Sequence, residues 1–89
     1  MTRTVDLGDA AAIGRAAAFI VTASEGGALH LPTLRARREE MEPLSRERFV
    51  AGAILPAAWY VKAQRARAWY RDRVRTAFAD ADVLIAAAT

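Results

Sequence analysis

The chain has 89 residues, of which 54% are hydrophobic; it contains no cysteine, and its formal net charge at pH 7 is +3. A chain of this length forms one domain at most and buries only about 60–65% of the surface that its unfolded form exposes. Without cysteine, neither a disulfide bond nor a cysteine-bound zinc ion can stabilise the fold, and the composition fits a reducing compartment.

The N-terminal residues do not resemble a secretion signal. Asp6 lies where a signal peptide requires an apolar run. No stretch reaches the roughly 18 uninterrupted apolar residues of a membrane-spanning helix. We therefore expect a cytoplasmic protein that has no membrane partner.

The first predicted helix spans about residues 9–25. Asp9 can cap its N-terminus, and the segment that follows is rich in alanine and apolar on most sides, which is typical of a buried helix. Gly14 lowers the helix propensity but can let a neighbouring helix approach closely. Residues 25–27 include two glycines and are predicted to end this helix.

A connecting segment and a second, shorter helix follow. Residues 31–44 mix basic and acidic side chains around Pro32, which favours an extended conformation before it, so they are predicted to form a solvated connection. Ser45 is a good N-cap for a helix over about residues 46–54, and Gly52 is expected to loosen the end of that helix.

The third predicted helix spans about residues 56–79 and begins with Pro56 at its first position. Side chains spaced by three and four residues form one stripe along it. This stripe consists of Tyr60, Ala63, Arg67, Tyr70, Val74, Ala77 and Phe78.

Residues 82–87 are predicted to form a strand. Their apolar run is continuous rather than alternating, which is typical of a strand buried on both faces of a sheet. No second strand is visible in the sequence, and a lone strand cannot satisfy its backbone groups. The predicted fold class is therefore mainly α, with three helices and one C-terminal strand, in a single partial domain over residues 1–89 that expects more protein around it.

Few residues are candidates for catalysis or metal binding. Ser24 and Ser45 are explained by a helix face and a helix cap, and His30 has no second ligand nearby. We expect no cofactor and no metal ion, and the residue pattern assigns no side chain to catalysis or to substrate binding.

A structural ion pair between Glu25 and Arg67 is the one polar interaction that the pattern suggests. Arg67 lies inside the apolar stripe of the third helix, where a covered guanidinium needs a carboxylate or carbonyl partner. Glu25 lies beside the apolar face of the first helix and is one candidate. The alternative is that Arg67 extends its guanidinium into solvent.

Two further functions remain open at this point. The chain could be a small helical protein–protein interaction module that buries the stripe and the terminal apolar run against a partner. Ranked below that is a nucleic-acid-binding helix, because residues 62–75 carry six basic side chains and one acidic side chain among aromatic residues.

The region around the third helix and the predicted strand resembles the amidase signature family, which are serine hydrolases that cleave amide and related C–N bonds. Residues 16–31, 48–53 and 56–60 also resemble family elements, and the chain is most similar to carboxybiuret hydrolase-like amidases. The residues that match the family pattern are Gly52, Tyr60, Ala63, Arg67, Phe78 and residues 82–86.

This resemblance implies that the chain is a fragment of the α/β amidase signature fold, from the C-terminal part of the shared region. The family uses a Ser–cis-Ser–Lys triad whose nucleophile lies in a Gly/Ser-rich loop, and nothing here matches that loop. Lys62 does not correspond to the triad lysine, and the family has proline near the position of Ala87. No catalytic residue is carried over, so the chain alone is expected to be inactive and to depend on the rest of the fold or on a partner chain. The implied substrate of the parent enzyme is a small urea- or biuret-like amide.

Overall fold

The computed structural model describes residues 2–88 and contains three α-helices: α1 (Ala10–Arg37), α2 (Pro43–Ala53) and α3 (Ala57–Ala77). Short 3-10 turns, Arg38–Glu40 and Phe78–Asp80, follow α1 and α3. Both α2 and α3 pack against α1. The mainly helical class and the three predicted helices are confirmed.

Helix α1 ends twelve residues later than predicted, because it continues through both glycines and through Pro32 to Arg37. The prediction that residues 25–27 end the helix is wrong. The connecting segment predicted over residues 31–44 is present but shorter, because only residues 38–42 lie between α1 and α2. Each glycine in a helix interior costs about 1 kcal/mol relative to alanine, and a proline about 3 kcal/mol. Here Gly27 and Leu34 are buried on α1, so tertiary packing outweighs local propensity.

The contact between α1 and α2 is made by backbone against backbone. A Cβ atom added to Gly52 would overlap the carbonyl oxygen of Ala23, and one added to Gly27 would lie 2.5 Å from the backbone nitrogen of Ala53. The ring of Phe49 occupies the space that a side chain at Gly26 would need. Gly52 is therefore a buried packing residue rather than the loosened helix end that was predicted.

Helix α2 begins three residues earlier than predicted, with Pro43 in its first turn. Its N-cap is Glu42 and not Ser45, because the carboxylate of Glu42 accepts hydrogen bonds from the backbone N–H groups of Leu44 (3.1 Å) and Ser45 (2.8 Å). These two hydrogen bonds hold the pKa of the Glu42 carboxyl below its ordinary value.

The contact between α1 and α3 is built from small side chains. Ala17 and Val21 of α1 and Ala63 of α3 form its buried centre, with Ile20, Tyr60 and Ala66 packed at the edge. The ring of Tyr70 lies over Gly14, where an added Cβ atom would come within 2.6 Å of the ring. The expectation that Gly14 permits close approach is thus met, although by a side chain rather than by a helix backbone.

The molecule is elongated. Its radius of gyration is 16.5 Å and its extents are 53 × 26 × 18 Å, whereas a compact domain of this length has a radius of gyration of about 12 Å. None of the larger side chains in the described part of the chain is less than 2% exposed. The three helices therefore form an open layer with a thin core.

The predicted strand over residues 82–87 is absent: residues 2–88 contain no strand, and the segment after Ala81 is irregular. A strand requires a neighbouring strand to pair its backbone groups, and none of the described elements supplies one. Val83 is 71% exposed and Ile85 is 93% exposed, so this apolar segment lies open to solvent. No helix in the described residues is long and apolar enough to cross a membrane.

Replacing Gly52 with alanine is expected to destabilise the fold by about 1–3 kcal/mol or more, because α2 must move away from the backbone of α1. Ala51→Ser is the matched control, since Ala51 is exposed on the same helix, and it should change the free energy of unfolding by less than about 0.5 kcal/mol. Chemical denaturation followed by circular dichroism measures both variants. Equal stability of the two would contradict the backbone contact.

The Glu42 cap predicts a pH dependence of stability. Because the pKa of Glu42 is lower in the folded state than in the unfolded state, its contribution is present above the unfolded-state pKa and is lost as the pH falls through the folded-state pKa. Glu42→Gln should therefore reduce the loss of stability on acidification. Thermal unfolding over the acidic range tests this, with Glu47→Gln on the same helix as the control that removes a charge but leaves the cap intact.

Candidate functional site

Four side chains form one hydrogen-bonded chain across the contact between α1 and α3. The Tyr60 hydroxyl donates to Oε1 of Glu25 (2.8 Å), Nε2 of Gln64 donates to the Tyr60 hydroxyl (2.8 Å), and Nη1 of Arg67 donates to Oε1 of Gln64 (3.0 Å). We call this set the polar chain. It joins the two helices by side-chain polar groups beside the small apolar core.

Helix geometry brings these groups together. Gln64 lies four residues after Tyr60 and three residues before Arg67, so the three side chains share one side of α3. Glu25 lies four residues after the buried Val21, on the side of α1 that faces α3. The helical conformation of residues 21–25 places the Glu25 carboxylate opposite Tyr60.

The donors and acceptors fix the direction of the polar chain. The single hydroxyl proton of Tyr60 goes to Glu25, so the hydroxyl oxygen can only accept from the amide nitrogen of Gln64. The amide oxygen of Gln64 then points to Arg67. Arg67 uses one of its five N–H donors in this bond, and its guanidinium is thereby oriented.

The structure thus connects Glu25 and Arg67 through two intervening side chains. A direct ion pair between them is not among the salt bridges of residues 2–88, and the direct pair stays a prediction. The sequence pattern places Tyr60 in the apolar stripe and assigns no role to Gln64. The spacing of Tyr60, Gln64 and Arg67 on one side of a helix was the signal that could have identified the polar chain.

His30 packs against an aromatic ring. Its imidazole stacks on Phe49 of α2, with ring centroids 4.5 Å apart and an interplanar angle of 30°. In the part of the chain that the structure describes, no group of three or more His, Asp or Glu side chains could hold a metal ion. His30 therefore contributes to the packing between α1 and α2.

The two serines have no catalytic surroundings. The hydroxyl of Ser24 is buried and has no hydrogen-bond partner among the described residues, whereas a nucleophilic serine requires an adjacent base. The backbone N–H of Ser45 donates to Glu42 in the cap of α2. Neither serine is positioned here for acyl transfer.

Exposed aromatic and basic side chains lie on several sides of α3. The guanidinium of Arg73 lies 4.9 Å from the ring centroid of Trp69, a cation–π contact. Trp59 is 54% exposed at the start of the helix. Arg71 lies 3.9 Å from the carboxylate of Asp72. Trp59 and Trp69 are both exposed and are not among the residues of the small apolar core.

The chain resembles part of a much longer enzyme subunit. No family model matches it. It is 60% identical over 79 residues to the 1-carboxybiuret hydrolase subunit AtzE of Pseudomonas sp. strain ADP. The match covers 89% of this chain and 17% of that subunit, so the chain spans about a sixth of the length of its relative.

Two solved chains have a similar fold. Both come from structures of a vestigial protein complex that reveals the evolutionary origins of an s-triazine catabolic enzyme, and one of these structures contains an inhibitor. Each has a TM-score of 0.77 and is 54% identical to this chain; the match covers 89% of this chain and 17% of the solved chain. The three-helix arrangement therefore also occurs within a longer polypeptide.

Removal of the Tyr60 hydroxyl is expected to break the polar chain at two hydrogen bonds. Tyr60→Phe should lower the free energy of unfolding by about 1 kcal/mol, since a typical net hydrogen bond contributes about 0.5–1.5 kcal/mol and this site is partly exposed. Tyr70→Phe is the control, because the Tyr70 ring covers Gly14 and no hydrogen bond of its hydroxyl is found among the described residues. Denaturant unfolding compares the two; equal effects would contradict a stabilising polar chain.

Proposed function

We propose that this chain is part of an amidase signature serine hydrolase that cleaves amide or related C–N bonds of a small urea- or biuret-like substrate. The observation that carries this proposal is the identity with the 1-carboxybiuret hydrolase subunit, which extends over nearly the whole chain. In this proposal residues 1–89 are one partial domain of the amidase signature fold, and the protein acts in the cytoplasm.

In this proposal the catalytic residues lie in a part of the enzyme outside these 89 residues. In an amidase signature enzyme a serine oxygen attacks the amide carbonyl, the amine leaves, and water hydrolyses the acyl-enzyme. The Ser24 hydroxyl is buried and has no hydrogen-bond partner within residues 2–88, and Ser45 lies in the cap of α2. The role that we assign to this chain is therefore structural: its three helices complete and support the fold that carries the triad, and the reaction requires no metal ion and no cofactor.

A second candidate function is a helical module that binds a protein partner without taking part in hydrolysis. The exposed apolar side chains favour it, because a chain that functions alone rarely leaves so many uncovered. They lie on all three helices and in the C-terminal segment, and they include Phe19, Leu29, Leu44, Ile54, Trp59, Val83 and Ile85. Both functions require a polypeptide that covers these side chains, and they differ in whether turnover follows.

Fragment complementation separates the two functions. The 89-residue chain alone should not hydrolyse 1-carboxybiuret, biuret or simple amides. We expect turnover when it is mixed with the Pseudomonas 1-carboxybiuret hydrolase subunit from which the 79 matching residues have been removed. The Gly52→Leu variant is the control, because its side chain cannot fit against α1, and it should not restore activity.

Hydrolysis by the chain alone would contradict the assignment of a purely structural role. Association of the two polypeptides without turnover would contradict the hydrolase proposal and favour the interaction module. Ammonia release measures turnover, and size-exclusion chromatography measures association.

A further inference from the structure

The side of α1 that packs against α2 continues beyond the end of α2. Ala12, Ala16 and Ala23 are separated by four and seven residues, so they lie on one side of α1. The backbone of Gly52 in α2 meets this side at Ala23. Helix α2 therefore covers only the C-terminal half of this side and leaves residues 10–22 uncovered.

This uncovered half is an apolar groove, which we call the open groove. Phe19 is 60% exposed, and Ala12 and Ala16 are exposed as well. Arg15 is the one charged side chain that lines the groove, and it lies at the edge, about 100° around the helix from Ala16. The lining side chains are Ala11, Ala12, Arg15, Ala16, Phe19 and Ile20. The groove is thus an apolar continuation of an established contact between helices.

The chain also has surface to bury on association. A folded monomer of 9.7 kDa is expected to expose about 5,100 Å², whereas this chain exposes 7367 Å². The difference, roughly 2,200 Å², is larger than the area of about 800 Å² that each partner buries in a standard interface. The irregular segments at both ends contribute to this difference, and so does the open groove.

A second copy of the chain fits the open groove in the antiparallel direction. In a parallel pair the two α2 helices would lie at the same height between the two α1 helices and would overlap. In an antiparallel pair the α1 helix of the second copy fills the groove up to the point where α2 begins, and its own α2 lies beyond the N-terminus of the first α1. Since the groove extends over residues 10–22, its midpoint, Ala16, lies on the twofold axis.

Large and small side chains are complementary in this arrangement. Ala16 faces Ala16 of the second copy, and its methyl group lets the two helices approach closely. Phe19 then packs beside Ala12 of the second copy, and Ile20 packs beside Ile13. In a parallel pair Phe19 would instead face Phe19, and a gap would remain between the two Ala12 side chains.

We propose that the open groove is the contact between two copies of this chain, whose α1 helices pack antiparallel about Ala16. The inference goes beyond the proposed hydrolase function and does not rest on it, because every residue of the contact belongs to this chain. Helix α2 and the α1 helix of the second copy together cover one whole side of α1.

Sedimentation equilibrium over an about hundredfold range of concentration tests the pair, because the dimer fraction rises with concentration. The mass should rise from the 9.7 kDa of one chain toward twice that value. Ala16→Glu should raise Kd about 100-fold or more, because two carboxylates would meet on the twofold axis. Ala18→Glu is the matched control: Ala18 is exposed on the opposite side of α1, so Kd should stay within about twofold.

Thermal unfolding at a concentration where the unchanged chain is monomeric separates association from folding. There the Tm values of Ala16→Glu and Ala18→Glu should lie within about 4 °C of the unchanged chain.

Single cysteines test the direction of the pair, because the chain contains no cysteine of its own. Under mild oxidation Ala16→Cys should form a disulfide-linked dimer, since the two positions face each other and a disulfide requires Cα atoms within about 7 Å. Ala12→Cys should not, because its two positions are about 12 Å apart along antiparallel helices. Ala18→Cys, on the opposite side of α1, should not form one either.

A monomer at every concentration would overturn the inference, and so would a dimer that Ala16→Glu leaves intact. Cross-linking of Ala12→Cys as readily as of Ala16→Cys would contradict the antiparallel arrangement. A monomeric chain that binds the Pseudomonas subunit lacking its 79 matching residues, and loses this binding in Ala16→Glu, would also overturn it, because the groove would then be covered by the rest of a hydrolase.

Discussion

The direct backbone contact between α1 and α2 is the constraint on which the rest of the structure depends. Gly27 and Gly52 remove the two Cβ atoms that would separate these helices. The contact keeps α1 helical through positions that would otherwise end it. Glu25 lies one helical turn after the buried Val21 and accepts the hydrogen bond from Tyr60. The same helix α1 thus carries the backbone contact with α2 and the polar chain to α3.

Small side chains have a cost that explains the shape of the molecule. Alanines and glycines allow helices to approach closely, but each removes little apolar surface from water. The buried core is therefore thin, while phenylalanine, tryptophan and leucine side chains remain at the surface. An open layer of this kind is what one expects from the interior of a larger fold, and the relatives in which this segment occurs are about six times as long as the part that matches.

Sequence patterns predicted the three helices but not their ends. The apolar spacing identified α3 well, because its stripe is long and regular. Helix α1 was cut short since glycine and Pro32 are strong local signals, and packing against α2 overrode them. Serine is a preferred N-cap residue, so the sequence predicts Ser45 as the cap of α2, whereas in the structure the longer Glu42 side chain reaches the backbone N–H groups of Leu44 and Ser45. The sequence predicts a direct ion pair between Glu25 and Arg67, and that pair stays a prediction. The hydrogen bonds that link the two residues run through Tyr60 and Gln64, and the position of the Gln64 amide follows only from the three-dimensional structure.

The sequence separations in these contacts have a consequence for the order of folding. Ala23 and Gly52 are 29 residues apart, whereas Gly14 and Tyr70 are 56 residues apart. The entropy lost on loop closure grows with the number of residues enclosed, and local contacts form faster than distant ones. The helical hairpin of α1 and α2 is therefore expected to assemble first, during synthesis as well as in refolding. Helix α3 then packs against the folded α1–α2 hairpin as α3 emerges from the ribosome.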